Sequence, residues 1–109
     1  MKKAIKLNEL DNVASLFDTA VEGEQVNVLD TKGNSTIVTV LNDIPYGHKI
    51  ALQDMRVGEQ VTKYGYEIGV VSKPIKLGEH VHVHNIESVR GRGDWDSKKQ
   101  AGIMKEMKN

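Results

Sequence analysis

Apolar and polar residues alternate along most of this chain, and the alternating segments are short. β-Branched residues dominate segments such as 35–41 (STIVTVL), and glycine, asparagine or aspartate separates one segment from the next. Alternation over four to eight residues between turn-forming residues predicts β-strands with one buried face. We therefore expect a mainly β domain, with strands at 12–16, 26–29, 35–41, 48–52, 61–63, 67–71 and 81–84.

The turn signal at residues 30–34 (DTKGN) is strong, and it predicts that 26–29 and 35–41 form an antiparallel hairpin. The segment 13–21 is ambiguous, because its apolar residues also have helical spacing. An internal repeat favours a strand over 12–16 instead.

That repeat is the motif Gly-Glu-x-Val, which occurs at 23–26, 58–61 and 78–81. Each copy has an apolar residue three places before its glycine. Glycine permits the positive φ that a tight turn can need, and valine is typical of the start of a strand. Because the spacing between copies is irregular, we interpret the repeat as a recurring strand–turn–strand unit rather than a solenoid.

Three of the four histidines lie at alternate positions, with valines between them: His80, His82 and His84. On a strand these residues would form one row on the same face, in which neighbours lie roughly 6.5–7 Å apart. Val81 and Val83 would then face the core. Two such imidazoles can reach one divalent ion such as Fe²⁺, Mn²⁺ or Zn²⁺. A solvated strand face that is rich in histidine is the competing interpretation.

Other side chains with useful chemistry follow turn-forming residues: His48, Lys49, Lys63 and Tyr64. A histidine here could act as a general base, and a lysine or a phenol could hold a carboxylate or move a proton. Arg90 and Arg92 lie in a glycine-spaced polar segment and could bind a carboxylate or a partner subunit. Ordinary loops and solvated side chains are the alternative for each of them.

Composition excludes several classes of protein. Fifteen basic and fifteen acidic residues cancel, so nothing global favours nucleic acid or a membrane as partner. The absence of cysteine excludes disulfides, cysteine-ligated zinc and iron–sulfur clusters, and it is compatible with a cytoplasmic location. Polar residues interrupt the N-terminal segment, so we expect no signal peptide, and no apolar run approaches the ~20 residues of a membrane span.

The length of 109 residues fits one domain. Glycine and charged residues replace the alternating pattern towards the C-terminus. We expect a β domain over 1–94 and a polar tail over 95–109, which could form helical turns or become ordered on a partner.

Four segments together resemble the SAF-domain module of the altronate/galactarate dehydratase family: 11–14 (DNVA), 44–51 (IPYGHKIA), 61–69 (VTKYGYEIG) and 82–85 (HVHN). The resemblance covers about residues 7–94, and it extends to the alpha subunit of sulfolactate sulfo-lyase. It implies a small β-clip fold and a lyase that removes water or sulfite from a 2-hydroxy acid, usually with a divalent metal such as iron.

In many members of that family the module is fused to a larger catalytic region. The present chain ends at Asn109, so the resemblance implies a separate large catalytic subunit. The implied substrate is a sugar acid or sulfolactate, and the implied metal is Fe²⁺, with Mn²⁺ or Zn²⁺ as alternatives.

The resemblance and the chemistry together assign roles to nine residues. The predicted catalytic residues are His48, Lys49, Lys63 and Tyr64; the predicted substrate-binding residues are Asn85, Arg90 and Arg92; the predicted metal ligands are His82 and His84. A second hypothesis is a non-catalytic module that binds a sugar acid or a partner protein. The small size of the chain and its incomplete ligand set favour that alternative.

Overall fold

The computed structural model describes residues 1–88, which form nine β-strands and no helix. The strands are β1 (Lys2–Lys6), β2 (Val13–Leu16), β3 (Gln25–Asp30), β4 (Ser35–Thr39), β5 (Lys49–Ala51), β6 (Gln60–Lys63), β7 (Tyr66–Val71), β8 (His80–Val81) and β9 (Ile86–Ser88). The predicted mainly β fold is confirmed. The predicted tail over 95–109 lies outside the described residues, as do Arg90 and Arg92.

Within residues 1–88 no helix exists that could cross a membrane. The strands form a six-stranded sheet in the order β4-β3-β1-β2-β5-β8 and a three-stranded sheet in the order β6-β7-β9. The predicted hairpin is confirmed as β3–β4, which pairs Val26 with Val38. The predicted strand over 12–16 is confirmed as β2, so helical spacing was a misleading signal there.

An eleven-residue turn unit occurs four times, at 16–26, 40–50, 51–61 and 71–81, and we number these units 1 to 4. The first, fifth and eleventh residues of every unit are buried and apolar, and the eighth is glycine. The three predicted copies of the turn are confirmed as units 1, 3 and 4. Unit 2 is a fourth copy, which carries histidine where the others carry glutamate.

The units pair reciprocally, unit 1 with unit 2 and unit 3 with unit 4. Their fifth residues form isolated bridges, Ala20 with Ile44 and Met55 with Ile75. The backbone carbonyl of the ninth residue in each unit accepts a hydrogen bond from the first residue of its partner: Val40 N to Glu24 O, Leu16 N to His48 O, Val71 N to Glu59 O and Ala51 N to Glu79 O, at 2.8–3.0 Å.

Residues 16–81 therefore consist of two similar halves, 16–50 and 51–81, in each of which a β-hairpin connects two turn units. Each half has its own hydrophobic core, one built around Leu16, Ile44 and Ile50 and the other around Met55, Val61 and Ile75. The halves are joined where β5 pairs with β8, in the register Lys49 with Val81 and Ile50 with His80.

The predicted strand over 81–84 is wrong beyond Val81. Strand β8 ends there, and residues 82–85 form a turn. The side chain of Asn85 holds this turn: its Oδ1 accepts the His82 N–H at 3.0 Å, and its Nδ2 donates to the His80 carbonyl at 2.9 Å. Val81 is buried as predicted, but Val83 is 79% exposed, so the predicted inward orientation of Val83 is also wrong.

Candidate metal centre

His48 occupies the ninth position of unit 2, where the other units have a glutamate that in units 1 and 4 closes the turn. Glu79 Oε1, for example, accepts the Lys76 N–H at 2.6 Å, and Glu24 Oε1 accepts the Val21 N–H at 2.8 Å. The corresponding sixth residue of unit 2 is Pro45, which has no N–H to donate. A glutamate would have nothing to cap there, so the ninth side chain of unit 2 is free for another role.

Pairing of β5 with β8 brings His48 against the histidines of the second half. The register of this ladder, extended by one residue pair, places His48 opposite His82. The two rings stack with their centroids 4.2 Å apart. On the same side, His48 Nδ1 lies 2.9 Å from His80 Nε2, so three imidazoles from two halves of the molecule meet.

The backbone of each of these histidines is held by a further contact. The His48 N–H donates to the Pro45 carbonyl at 3.1 Å. The His80 N–H donates to Asn42 Oδ1 at 2.8 Å, and the His82 N–H is bound by Asn85. Asn42 and Asn85 therefore fix the backbone from which two of the three rings project.

The arrangement fits a divalent metal ion. One nitrogen from each of His48, His80 and His82 lies within 4.8 Å of the others. Two nitrogens bound at a right angle, each about 2.1 Å from one ion, lie about 3 Å apart. The observed 2.9 Å between His48 and His80 matches that separation. Imidazole nitrogen suits zinc, iron and other first-row transition metals.

The electrostatics of the cluster favour the neutral form of two of its rings, those of His80 and His82. Burial lowers the pKa of His80 to about 4, and the neighbouring His84, His48, His82 and Lys49 act in the same direction. Burial also lowers the pKa of His82, again with help from its basic neighbours. Because a metal binds the neutral form of imidazole, these two side chains are ready to bind at neutral pH without first losing a proton.

One lysine, Lys49, lies beside the histidines, and a second, Lys63, lies near enough to act on the first. Lys49 is half-buried, and its pKa is lowered by burial and then by the charge of Lys63. The ammonium group of Lys63 lies 4.7 Å from the centre of the Tyr64 ring. The structure therefore brings the predicted residues His48, Lys49, Lys63 and Tyr64 into one region with the histidine cluster.

Tyr64 and Gly65 both have positive φ, at 56° and 78°, in the two-residue turn between β6 and β7. The buried Asp11 supports this turn, because its Oδ1 accepts the Gly65 N–H at 2.8 Å. The side chain of Asn12 adds two hydrogen bonds to β6, to Thr62 and Gln60. The polar residues of the segment 11–14 thus hold the hairpin that carries Lys63 and Tyr64.

The group of ligands differs from the predicted pair. His82 belongs to it, whereas His84 is exposed, and its ring centroid lies 5.0 Å from that of His80. Asn85 is buried, with its amide occupied by the backbone. The functional roles assigned to His84 and Asn85 stay predictions. The predicted ligand pair includes neither His80 nor His48, which was assigned a catalytic role, and Asn42 was not among the predicted residues. The departure of unit 2 from the repeat is the signal that points to this cluster.

Comparisons with known proteins agree on one family. Residues 2–89 match the altronate/galactarate dehydratase SAF domain. The chain is 38% identical over 88 residues to the altronate dehydratase of Bacillus subtilis and 42% identical over 81 residues to that of Escherichia coli. These alignments cover 81% and 74% of this chain but only 17% and 15% of the dehydratases.

A second kind of relative is much shorter. The chain is 41% identical over 61 residues to the (2R)-sulfolactate sulfo-lyase subunit alpha of Paracoccus pantotrophus. That alignment covers 55% of this chain and 91% of the subunit. The chain therefore spans less than a fifth of the altronate dehydratases that it matches, but nearly all of a protein that is itself one subunit of a lyase.

Proposed function

Because this chain belongs to the family of altronate/galactarate dehydratase SAF domains, we propose that it is the small subunit of a lyase that acts on a 2-hydroxy acid. The reaction is the elimination of water, as in an altronate or galactarate dehydratase, or of sulfite, as in a sulfolactate lyase. A separate large subunit supplies the rest of the catalytic site. The near-complete match to a subunit alpha supports this division of the enzyme.

The observation that carries the proposal is the convergence of His48, His80 and His82 at the junction of the two halves. These three side chains would hold a divalent ion, Fe²⁺ in the first place and Mn²⁺ or Zn²⁺ as alternatives. When bound, such an ion polarises oxygen atoms of the hydroxy acid and stabilises negative charge next to its carboxylate.

The remaining residues bind substrate and move protons. Lys49 and Lys63 place positive charge beside the cluster, where it stabilises the substrate carboxylate and the negative charge that develops when the α-proton leaves. Tyr64 orients Lys63 through the contact of its ring with the ammonium group. His84 is exposed and lies outside the group of three ligands, so its imidazole is available to transfer a proton.

The test is reconstitution of the full chain with a large lyase subunit, followed by assays of elimination from altronate, galactarate and sulfolactate. We expect His80→Ala to lower both turnover and metal content by at least tenfold, as expected when a ligand is removed. Gln60→Ala is the matched control, because Gln60 is the tenth residue of unit 3, as His80 is of unit 4. Wild-type turnover and metal content in His80→Ala would contradict the proposal.

One observation favours the second hypothesis, a non-catalytic binding module. Within residues 1–88 the candidate ligand group contains three imidazoles and no carboxylate. Two lysines beside neutral rings could simply hold an organic anion. In that case the isolated chain would bind a sugar acid, and adding a large subunit would produce no elimination.

A further inference from the structure

Two exposed apolar side chains flank the metal centre. Tyr46 precedes His48 by two residues and is 69% exposed. Val83 lies between His82 and His84 and, at 79%, is the most exposed large hydrophobic side chain in the described part of the chain. Asn85 holds the Val83 turn in place, so this exposure is built into the structure. We call Tyr46, His48, His82, Val83 and His84 the histidine face.

The charge around the histidine face is positive. Its lasting positive charges are Lys49, which acts on His80 and His82, and Lys63, which acts on Lys49. Among residues 1–88, the ion pairs formed by lysine or arginine involve Lys2, Lys32 and Arg56, and neither Lys49 nor Lys63. A partner that covers this face must therefore bring acidic groups, because charge complementarity selects partners at interfaces.

A second copy of the chain does not meet that requirement. A two-fold dimer through this face would set the same patch against itself and bring the charges of Lys49 and Lys63 from the two copies together. Like charges that face each other across an interface cost several kcal/mol. A large lyase chain is the partner that the relatives point to, since more than four-fifths of each altronate dehydratase lies outside the matched region.

We infer that the histidine face is the docking surface for the large lyase subunit, which contacts Tyr46 and Val83 through apolar side chains and surrounds them with acidic residues. This inference rests on the proposed function, because it takes the large subunit as the partner. It adds the position of the interface, which includes His48 and His82 of the candidate metal centre. Docking then excludes water from the histidine cluster.

The test is the dissociation constant of the full chain for the large lyase subunit, measured by titration calorimetry. A glutamate at Tyr46 or at Val83 puts a charge where the interface is apolar and opposes the acidic partner. We expect Tyr46→Glu and Val83→Glu each to weaken binding at least tenfold, the size of effect that a central interface residue gives. Circular dichroism before each titration verifies that the variants are folded.

Val57→Glu is the matched control. Val57 is the seventh residue of unit 3, as Tyr46 is of unit 2, and it is 59% exposed, but no histidine stands beside it in its unit. We expect its binding to stay within twofold of wild type. Reversing the charge of Lys63 with Lys63→Glu should slow association and reduce its salt dependence, whereas Lys32→Glu should change neither.

The outcomes separate this inference from the proposed function. If Tyr46→Glu and Val83→Glu bind the large subunit as wild type does, and the complex still eliminates water or sulfite, the interface lies elsewhere and only the inference is overturned. If the wild-type chain binds no large lyase subunit, the proposed function falls and the inference with it. A wild-type homodimer that Tyr46→Glu dissociates would overturn the choice of partner.

Discussion

The two halves of this molecule, 16–50 and 51–81, use the same backbone turns for different purposes. In the second half, Glu59 and Glu79 take the ninth positions of units 3 and 4, and Glu79 caps its own turn. In the first half, Glu24 does the same in unit 1, but unit 2 has Pro45 and His48 instead. The comparison indicates that the positions shared by all units stabilise the fold. The position at which unit 2 differs, His48, contributes instead to the candidate metal centre.

The largest effect should come from the eighth position, where all four units have a glycine. Gly58 and Gly78 have nearly equal φ, 94° and 93°. A Cβ at Gly58 would meet nothing within 4 Å, whereas one at Gly78 would collide with the Thr39 carbonyl oxygen. We expect Gly58→Ala to cost about 1–2 kcal/mol from backbone strain, and Gly78→Ala about 3 kcal/mol or more.

Urea denaturation of both variants measures the difference. Equal midpoints for Gly58→Ala and Gly78→Ala would show that the close approach of Thr39 does not constrain unit 4. If Gly78→Ala yields no folded protein while Gly58→Ala does, the expected ranking is met.

The next largest effect, on the affinity for Zn²⁺, should distinguish His48 from Glu59, the ninth residues of units 2 and 3. We expect His48→Ala to lower the affinity of the isolated chain for Zn²⁺ roughly 100-fold, because supporting residues of metal sites already contribute 10–100-fold. Glu59→Ala, at the equivalent position, should leave the affinity unchanged. Titration calorimetry with Zn²⁺ measures both, and equal affinities would remove His48 from the ligand set.

A smaller effect should appear when the pH changes. The pKa of His80 is about 4 in the folded chain and near 6.5 in the unfolded chain. Between these values the unfolded chain holds one more proton, so the free energy of unfolding increases with pH from about 4 to 6.5 and then levels off. For the metal-free chain we expect a loss of about 1–2 kcal/mol at pH 4, because solvent screens the partly exposed ring.

Carboxylates also titrate in this range, so the contribution of His80 must be measured as a difference in the free energy of unfolding between two proteins. Urea denaturation of wild type and His80→Gln at pH 7, 5.5 and 4 isolates the contribution of His80. As the pH falls, the free energy of unfolding of the wild type should decrease more than that of His80→Gln, so the gap between them changes in favour of the variant. A gap that stays constant would contradict the assignment of a neutral, desolvated ring.

The smallest effect concerns the turn caps. Glu79→Ala removes the acceptor of the Lys76 N–H, so we expect a loss of about 1 kcal/mol in the free energy of unfolding. His48→Ala removes no such cap, because Pro45 offers no N–H; it removes only the 2.9 Å contact with the partly exposed His80 and should cost less, about 0.5 kcal/mol, in the metal-free chain. Chemical denaturation in the presence of a chelator compares the two variants. Equal losses in the free energy of unfolding would contradict the view that Glu79 caps its turn and His48 does not.

Much of the fold could be predicted from sequence because its signals are local. The hairpin β3–β4 has a strong turn between two alternating segments, and the Gly-Glu-x-Val turns carry their own glycine. Unit 2 was missed for a physical reason: His48 replaces the glutamate that defines the motif, since Pro45 has removed the group that a glutamate would cap.

The candidate site was harder to predict, because two non-adjacent contacts create it. The alternation at 80–84 indicates a strand, but the amide of Asn85 competes with the ladder and turns the chain after Val81. The meeting of His48 with His80 depends on the pairing of β5 with β8, segments that lie some thirty residues apart. No local pattern determines which strands become neighbours in the sheet.

The pairing of β5 with β8 has a consequence for the stability and lifetime of the folded protein. Because the candidate nitrogen ligands come from both halves, an ion bound there would link the two halves. At a free concentration 100 times its dissociation constant, such an ion would add about 2.7 kcal/mol to the free energy of unfolding. We expect metal-starved chains to be cleaved sooner by proteases, so that the supply of the ion governs the lifetime of the protein.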